Sequence, residues 1–278
     1  MKILKLLLAM CATTFTILSC GSKKAESQKI LVLYYSQNGT TEKVAQEIAG
    51  KLNADIEAIC SANPYDGDFG QTIERCNKER EAGIVPENLP LRLNPADYDV
   101  IFLGYPVWFG TYAPPVAYFL NNTDLSGKKI VPFCTFGSGG IDSSTKDIIA
   151  IQPNAEVLPG YGVRTARIDA MPKEVDQFLK AGGFIEGEYV KLADFPQEHE
   201  ATGEEAAIFD AAVAGYPMIN ARAKAVSARE VPDGMEYLFT AENLPRDLNA
   251  ENLPPASDIK VYVLVENGHS PVFTQVLR

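Results

Sequence analysis

The sequence predicts an α/β protein: a five-stranded parallel, doubly wound sheet, followed by a smaller α+β domain. Three observations carry this. Across residues 28–183, short apolar runs alternate with stretches of helical period, as strands and their crossover helices do. After residue 183 the pattern changes to one acidic, alanine-rich stretch and four short runs rich in β-branched residues. Three loops leaving strands are rich in hydroxyls, aromatics or glycine, and open α/β sheets bind ligands beyond the carboxyl ends of their strands.

Each element follows from its own pattern. Residues 30–35 are an apolar run and a first strand, and residues 41–52 a helix with Val44, Ile48 and Leu52 four apart. Residues 55–60 form a short, partly polar strand, as an outer strand would be, and residues 69–81 a charged surface helix. Residues 98–105 and 128–136 are strongly apolar and read as buried strands. The helix at 115–121 carries proline in its first turn, where the missing N–H costs nothing. A helix at 143–151, a short strand at 156–158, a turn at Gly160-Tyr161-Gly162 and a helix at 172–181 complete the first domain. In the second, residues 198–214 read as a helix, and 223–230, 235–241, 259–265 and 272–277 as antiparallel strands. Asn267-Gly268 marks a hairpin of the type I′ kind between the last two, with a loop that can exceed two residues. Glu-Asn-Leu-Pro recurs at Glu87, Glu242 and Glu251, and reads as a recurring turn because nothing around the copies is similar.

The loop after the first strand holds Ser36, Gln37, Asn38, Gly39, Thr40 and Thr41. Strand, hydroxyl-rich loop, then helix N-terminus suits a phosphate, because free N–H groups and hydroxyls can converge on one anion. The loop has no lysine or arginine, which excludes the Gly-Lys-Ser/Thr loop of nucleotide triphosphatases. A serine/threonine loop before a helix can also be no more than a cap.

Three pieces in order then carry a family resemblance. Tyr35-Ser36-Gln37-Asn38-Gly39-Thr40-Thr41 resembles the phosphate loop of flavodoxin-like FMN-binding domains. Gly104-Tyr105-Pro106-Val107-Trp108-Phe109-Gly110-Thr111 resembles their loop beside the flavin ring, and Thr135-Phe136-Gly137-Ser138-Gly139-Gly140 their third, glycine-rich loop. The resemblance covers residues 28–183. It implies that Ser36, Asn38, Thr40 and Thr41, with the amides of Gln37 and Gly39, hold the FMN phosphate. It also implies that Pro106, Val107, Trp108, Phe109 and Gly110 meet the isoalloxazine edge. Gly110 or a neighbouring peptide would hydrogen-bond the flavin N5. Gly137, Gly139 and Gly140 would let backbone approach the ring closely, since no Cβ intrudes. An apolar enclosure and an acidic surface would disfavour negative charge on the reduced ring and so lower its potential.

The N-terminus reads as a targeting segment. Lys2 and Lys5 precede an apolar stretch at 6–18, too short for a membrane span of about 20 residues. The ending Ile17-Leu18-Ser19-Cys20 resembles the bacterial lipobox, in which Cys20 becomes the lipidated N-terminus. An ordinary secretory signal is the competing reading. The expected organisation is a signal at 1–19, a tether at 20–27, the FMN-binding domain at 28–183 and the α+β domain at 190–278. The chain would then be lipid-anchored in the cell envelope, on the periplasmic or surface side of a bacterial membrane.

Removing Lys2 and Lys5 takes the formal charge from −11 to −13, which disfavours nucleic acid. It suits a basic protein partner or a cationic substrate, or simply solubility. Cys60, Cys76 and Cys134 lack CxxC spacing or nearby histidines, so no metal is expected. Whether Cys60 and Cys76 pair stays open. His199 and His269 read as surface residues, and no catalytic triad or carboxylate pair is recognisable.

The implied function is an FMN-containing redox protein outside the cytoplasm. It would exchange electrons with a partner protein, or reduce a quinone or other small acceptor. The alternative is a non-enzymatic binding or surface-interaction lipoprotein that keeps the fold without flavin chemistry. For the C-terminal domain, partner docking, closure over the flavin and stabilisation are all open.

Overall fold

The computed structural model describes residues 28–244 and 257–277; the expected signal segment, tether and Cys20, and the Glu251 copy of Glu-Asn-Leu-Pro, lie outside them. The first domain runs β1 (Ile30–Tyr34), α1 (Thr40–Leu52), β2 (Asp55–Ala58), α2 (Phe69–Glu81), β3 (Val100–Trp108), β4 (Thr111–Tyr112), α3 (Pro114–Asn122), β5 (Lys129–Phe136), α4 (Ile141–Ile151), β6 (Glu156–Val157), β7 (Tyr161–Arg164) and α5 (Met171–Ala181). Its sheet is ordered β2-β1-β3-β5-β6, with β7 also parallel to β5 and β4 antiparallel to β3. That is the flavodoxin-type order of a doubly wound sheet.

The side chains of each strand alternate between two buried faces. Leu31, Leu33, Ile101, Leu103 and Tyr105 enter one core, which α3 and α4 cover with Val116, Leu120 and Ile148. Val32, Val100, Phe102, Val131 and Phe133 enter the other, beneath Val44 and Ile48 of α1 and Val175 and Leu179 of α5. Burial on both faces explains why these strands read as unbroken apolar runs. At Gly104 a Cβ would collide with the Phe133 ring of the neighbouring strand, so glycine is what lets β3 and β5 pack at that level.

The fifth strand departs from the expectation. It is broken into β6 and β7 by residues 158–160, and the turn expected at Gly160-Tyr161-Gly162 continues as strand from Tyr161 onward. Glycine obscured this: a Cβ at Gly162 would press on Phe136, so the residue serves close strand packing.

The second domain holds β8 (His199–Glu200), α6 (Gly203–Val213), β9 (Ala221–Val231), β10 (Gly234–Asn243), β11 (Asp258–Glu266) and β12 (Val272–Leu277). Its antiparallel sheet is ordered β12-β11-β10-β9-β8. Phe209 of α6 packs on Val226, Phe239, Val261 and Phe273. The helix starts later than the expected residue 198, because Thr202 caps it in a reciprocal box. Thr202 Oγ1 accepts the Glu205 N–H at 3.3 Å, and Glu205 Oε2 accepts the Thr202 N–H at 2.9 Å. Residues 199–200 pair with β9 instead. The β11–β12 connection is longer than a two-residue hairpin, since pairing runs from Leu264 to Val272 around Gly268 at φ 80°.

Glu87-Asn88 and Glu242-Asn243, the described starts of two Glu-Asn-Leu-Pro copies, do not share a turn. Asn88 bridges to Ser61, whereas Glu242 and Asn243 end β10. All three described cysteines are free, Cys60 exposed and Cys76 and Cys134 buried. Among the described residues no helix is long and apolar enough to cross a membrane.

Candidate functional site

The three loops converge at the carboxyl ends of β1, β3 and β5. In the first, Gly39 sits at φ 82° and opens α1 without a side-chain cap. The Asn38 side-chain Oδ1 accepts the Thr40 N–H at 3.2 Å, which folds the loop on itself. Thr41 turns inward, its hydroxyl 2.8 Å from that of Thr135, and both residues are buried. One proton serves that contact, so the pair keeps one donor. Ser36 Oγ is buried with no hydrogen-bond partner. The Gln37 side-chain nitrogen is committed elsewhere: it donates to the Tyr65 carbonyl at 3.0 Å and to Thr72 Oγ1 at 2.8 Å, so it does not serve as a donor to an anion in the loop. Glu42, the acid of the first turn, accepts from Gln46 at 3.2 Å and from the Tyr34 phenol at 3.3 Å. Burial first and Glu42 second push that phenol up to about 12.

The second segment was expected as a loop, but Pro106, Val107 and Trp108 are the end of β3. The chain reverses at Phe109-Gly110 and pairs back, Trp108 opposite Thr111 and Val107 opposite Tyr112. Phe109 and Gly110 have φ 52° and 83°, the two positive values that a type I′ hairpin requires. Positive φ at an aromatic residue is strained, by about 1–3 kcal/mol. It holds the half-exposed Phe109 ring outward, 4.9 Å beneath the Arg80 guanidinium. Trp108 turns the other way, edge-on to Tyr35 at 5.9 Å and to Tyr65 at 5.2 Å. Two further contacts pin the hairpin to α4: Ser143 donates to the Gly110 carbonyl at 2.5 Å, and Thr111 to Asp147 at 2.6 Å.

The third segment begins inside β5, which contains Thr135 and Phe136. The loop proper is Gly137, Ser138, Gly139 and Gly140. The resemblance implies that its glycines let backbone approach a ring; within the protein each of three also makes room for a neighbouring residue. A Cβ at Gly140 would collide with Val107, one at Gly139 with the Val276 carbonyl, and one at Gly137 would crowd the Tyr216 hydroxyl. The C-terminal sheet therefore lies against this loop.

Tyr65, Arg75 and Glu79 escaped the sequence reading. The Tyr65 phenol donates to Glu79 at 2.6 Å, and the Arg75 guanidinium lies 3.8 Å from the Tyr65 ring centroid. Burial raises the Tyr65 phenol well above its usual range, and Glu79 adds to the shift. The only signal was an aromatic inside the turn-like Asn63-Pro64-Tyr65-Asp66-Gly67. His199 faces Glu205 at 3.1 Å, on the surface between β8 and α6.

The three segments contain no charged side chain, so an anion placed at the first of them would meet amides and hydroxyls, not a cation of these loops. No nucleophile–base pair is present among them. Two surface hollows lie elsewhere, one at the C-terminal ends of α3 and α4 beside Asn122 and Asn154, the other around Gly234 and Asn267.

A family model described as Flavodoxin matches residues 29–176, just over half of the chain, and ends before the C-terminal sheet. A candidate flavoprotein from Bacteroides eggerthii is 28% identical with a TM-score of 0.45, over 54% of this chain and 98% of its own. One from Bacteroides uniformis is 24% identical with a TM-score of 0.48, over 54% and 99%. A flavoprotein from Lactobacillus acidophilus, solved in complex with FMN, is 22% identical with a TM-score of 0.45, over 52% and 98%.

Proposed function

Since this chain belongs to the flavodoxin family through residues 29–176, we propose that it is an FMN-binding redox protein, tethered to a membrane outside the cytoplasm, that carries electrons or reduces a small acceptor. FMN supplies one- or two-electron transfer when bound. The protein's part is binding, orientation and access.

The residues fit that group. The observation that carries the reading is the Ser36 hydroxyl, buried and unpartnered at the mouth of an uncapped helix. A buried hydroxyl without a partner is costly, and a phosphate oxygen would satisfy it. Thr40 and the first-turn amides of α1 supply further donors, with the helix dipole favouring the charge. The absence of a cation in the loop suits a phosphate that is bound permanently and never transferred. The hairpin would border the ring, with Trp108 braced by Tyr35 and Tyr65, and Phe109 facing outward toward an approaching partner.

Titrating the flavin-free chain with FMN should quench flavin fluorescence to a one-to-one end point. Riboflavin, which lacks the phosphate, should bind far more weakly. Equal affinity for the two would remove the phosphate role of residues 36–41.

The anchor and the partners belong to the same proposal. Residues 17–20 support lipidation of Cys20, and the formal charge, −11 for the full sequence and −13 without Lys2 and Lys5, supports a basic protein donor or acceptor. Reduction of a quinone is the alternative to a protein acceptor. Cys20→Ser should release the chain into the soluble fraction; retention in membranes would reject the lipid anchor.

A further inference from the structure

Edge strand β12 of the C-terminal sheet runs along the glycine loop, where Val276 donates its N–H to the Ser138 carbonyl at 2.7 Å. Gln275 donates to Asp142, at the start of α4, at 3.3 Å. Arg164, the last residue of β7, joins the two parts. Its Nε donates to the Gly137 carbonyl at 2.9 Å, and its Nη1 to the Phe273 carbonyl of β12 at 2.8 Å. Its guanidinium lies 3.4 Å from the Phe273 ring centroid and 5.4 Å from that of Tyr216. Two carbonyls held by one planar fork, stacked on aromatic rings, is a task for arginine that an ammonium group cannot reproduce.

A loop with glycine at three of four positions has many accessible conformations and loses them on ordering. Here Val276 of the C-terminal sheet orders it together with Arg164, Val107 and Ser144 of the first domain, so the cost falls on folding and not on ligand binding. From this arrangement we infer that Arg164 is a positioning residue for the flavin site. It fastens loop 137–140 to the C-terminal sheet, so that the sheet sets how tightly FMN is held and at what potential it is reduced. The inference rests on the FMN reading above. It also gives the C-terminal domain a role: it is a fixed wall of the site.

The test uses the full chain in detergent, as wild type, Arg164→Ala, Arg164→Lys and Gly139→Ala. FMN affinity, the midpoint potential of the bound flavin and amide exchange of loop 137–140 in flavin-free protein are measured for each. Arg164→Ala should bind FMN roughly tenfold more weakly, a change of about 1.4 kcal/mol, with a shifted potential and faster loop exchange. Arg164→Lys should recover only part of this. Gly139→Ala keeps the arginine but displaces Val276, and should move all three readouts in the same direction. That guards against misfolding of the first variant. Wild-type binding of FMN, with affinity and potential unchanged in both alanine variants, overturns the inference and leaves the FMN reading intact. Failure of the wild type to take up FMN overturns both.

Discussion

Replacing Ser36 with alanine should change stability and binding in opposite directions. In the ligand-free chain Ser36 Oγ is buried without a partner. Such a group carries a desolvation cost of about 1–3 kcal/mol, with nothing in return. Deleting it should leave the ligand-free protein as stable as the wild type or more so. A gain of about 1 kcal/mol would raise Tm by roughly 2–4 °C in a chain of this size. The same hydroxyl, donating to a phosphate oxygen, makes a charge-assisted bond of about 1.5–3 kcal/mol. Its loss should weaken FMN binding by about 10- to 150-fold. Calorimetric melting of flavin-free protein gives the first quantity, and a fluorescence titration with FMN gives the second. A lower Tm together with an unchanged Kd would refute the reasoning, because Ser36 would then be a structural residue with a partner inside the fold.

Gly104→Ala places a Cβ against the Phe133 ring and should cost about 1–3 kcal/mol by overpacking, read as a lower denaturant midpoint. An unchanged midpoint would mean that β3 and β5 are not in contact there. Burial raises the phenols of Tyr34 and Tyr98, each to about 12. The native state favours their neutral form, so this stability is complete below the unfolded value of about 10 and is lost as pH rises from 10 through 12. The part of the tyrosinate absorbance that is lost in Tyr34→Phe and Tyr98→Phe variants should therefore appear together with loss of near-ultraviolet circular dichroism; its appearance near pH 10 in a still-folded protein would contradict the burial. The Glu205 carboxyl is held low, chiefly by the Thr202 N–H, so its contribution is present above the ordinary glutamate value and lost as pH falls below it. Thr202→Ala removes the other half of that box and should cost about 1 kcal/mol, visible as faster amide exchange in α6. Protection equal to wild type would show that the cap contributes nothing.

The parallel sheet was legible because its strands are buried on both faces and its helices keep their stripe, so local pattern and burial agree. The loop at 36–41 was legible as a strand-to-helix connection for a similar reason: Ser36, Gly39 and Thr41 lie within a few residues of one another. What stayed hidden depends on distant partners. Whether Gly162 is a turn residue or a strand residue depends on the Phe136 ring beside it. The second segment looked like a loop because nothing in Pro106-Val107-Trp108 reveals that Thr111 and Tyr112 pair back onto it. Loop 137–140 was assigned glycines for a ligand's sake, but its glycines also make room for Val107 and for a strand more than a hundred residues away. Tyr65 and Arg164 act through aromatic and carbonyl contacts that leave no periodic trace in the sequence.

The central claim is that this chain is a flavin protein, and the visible absorption spectrum of the purified full chain tests it most directly. The purified chain should be yellow, with the two-banded absorbance of bound flavin, bleached by dithionite and restored by air. Colourless protein that takes up no added FMN would contradict it.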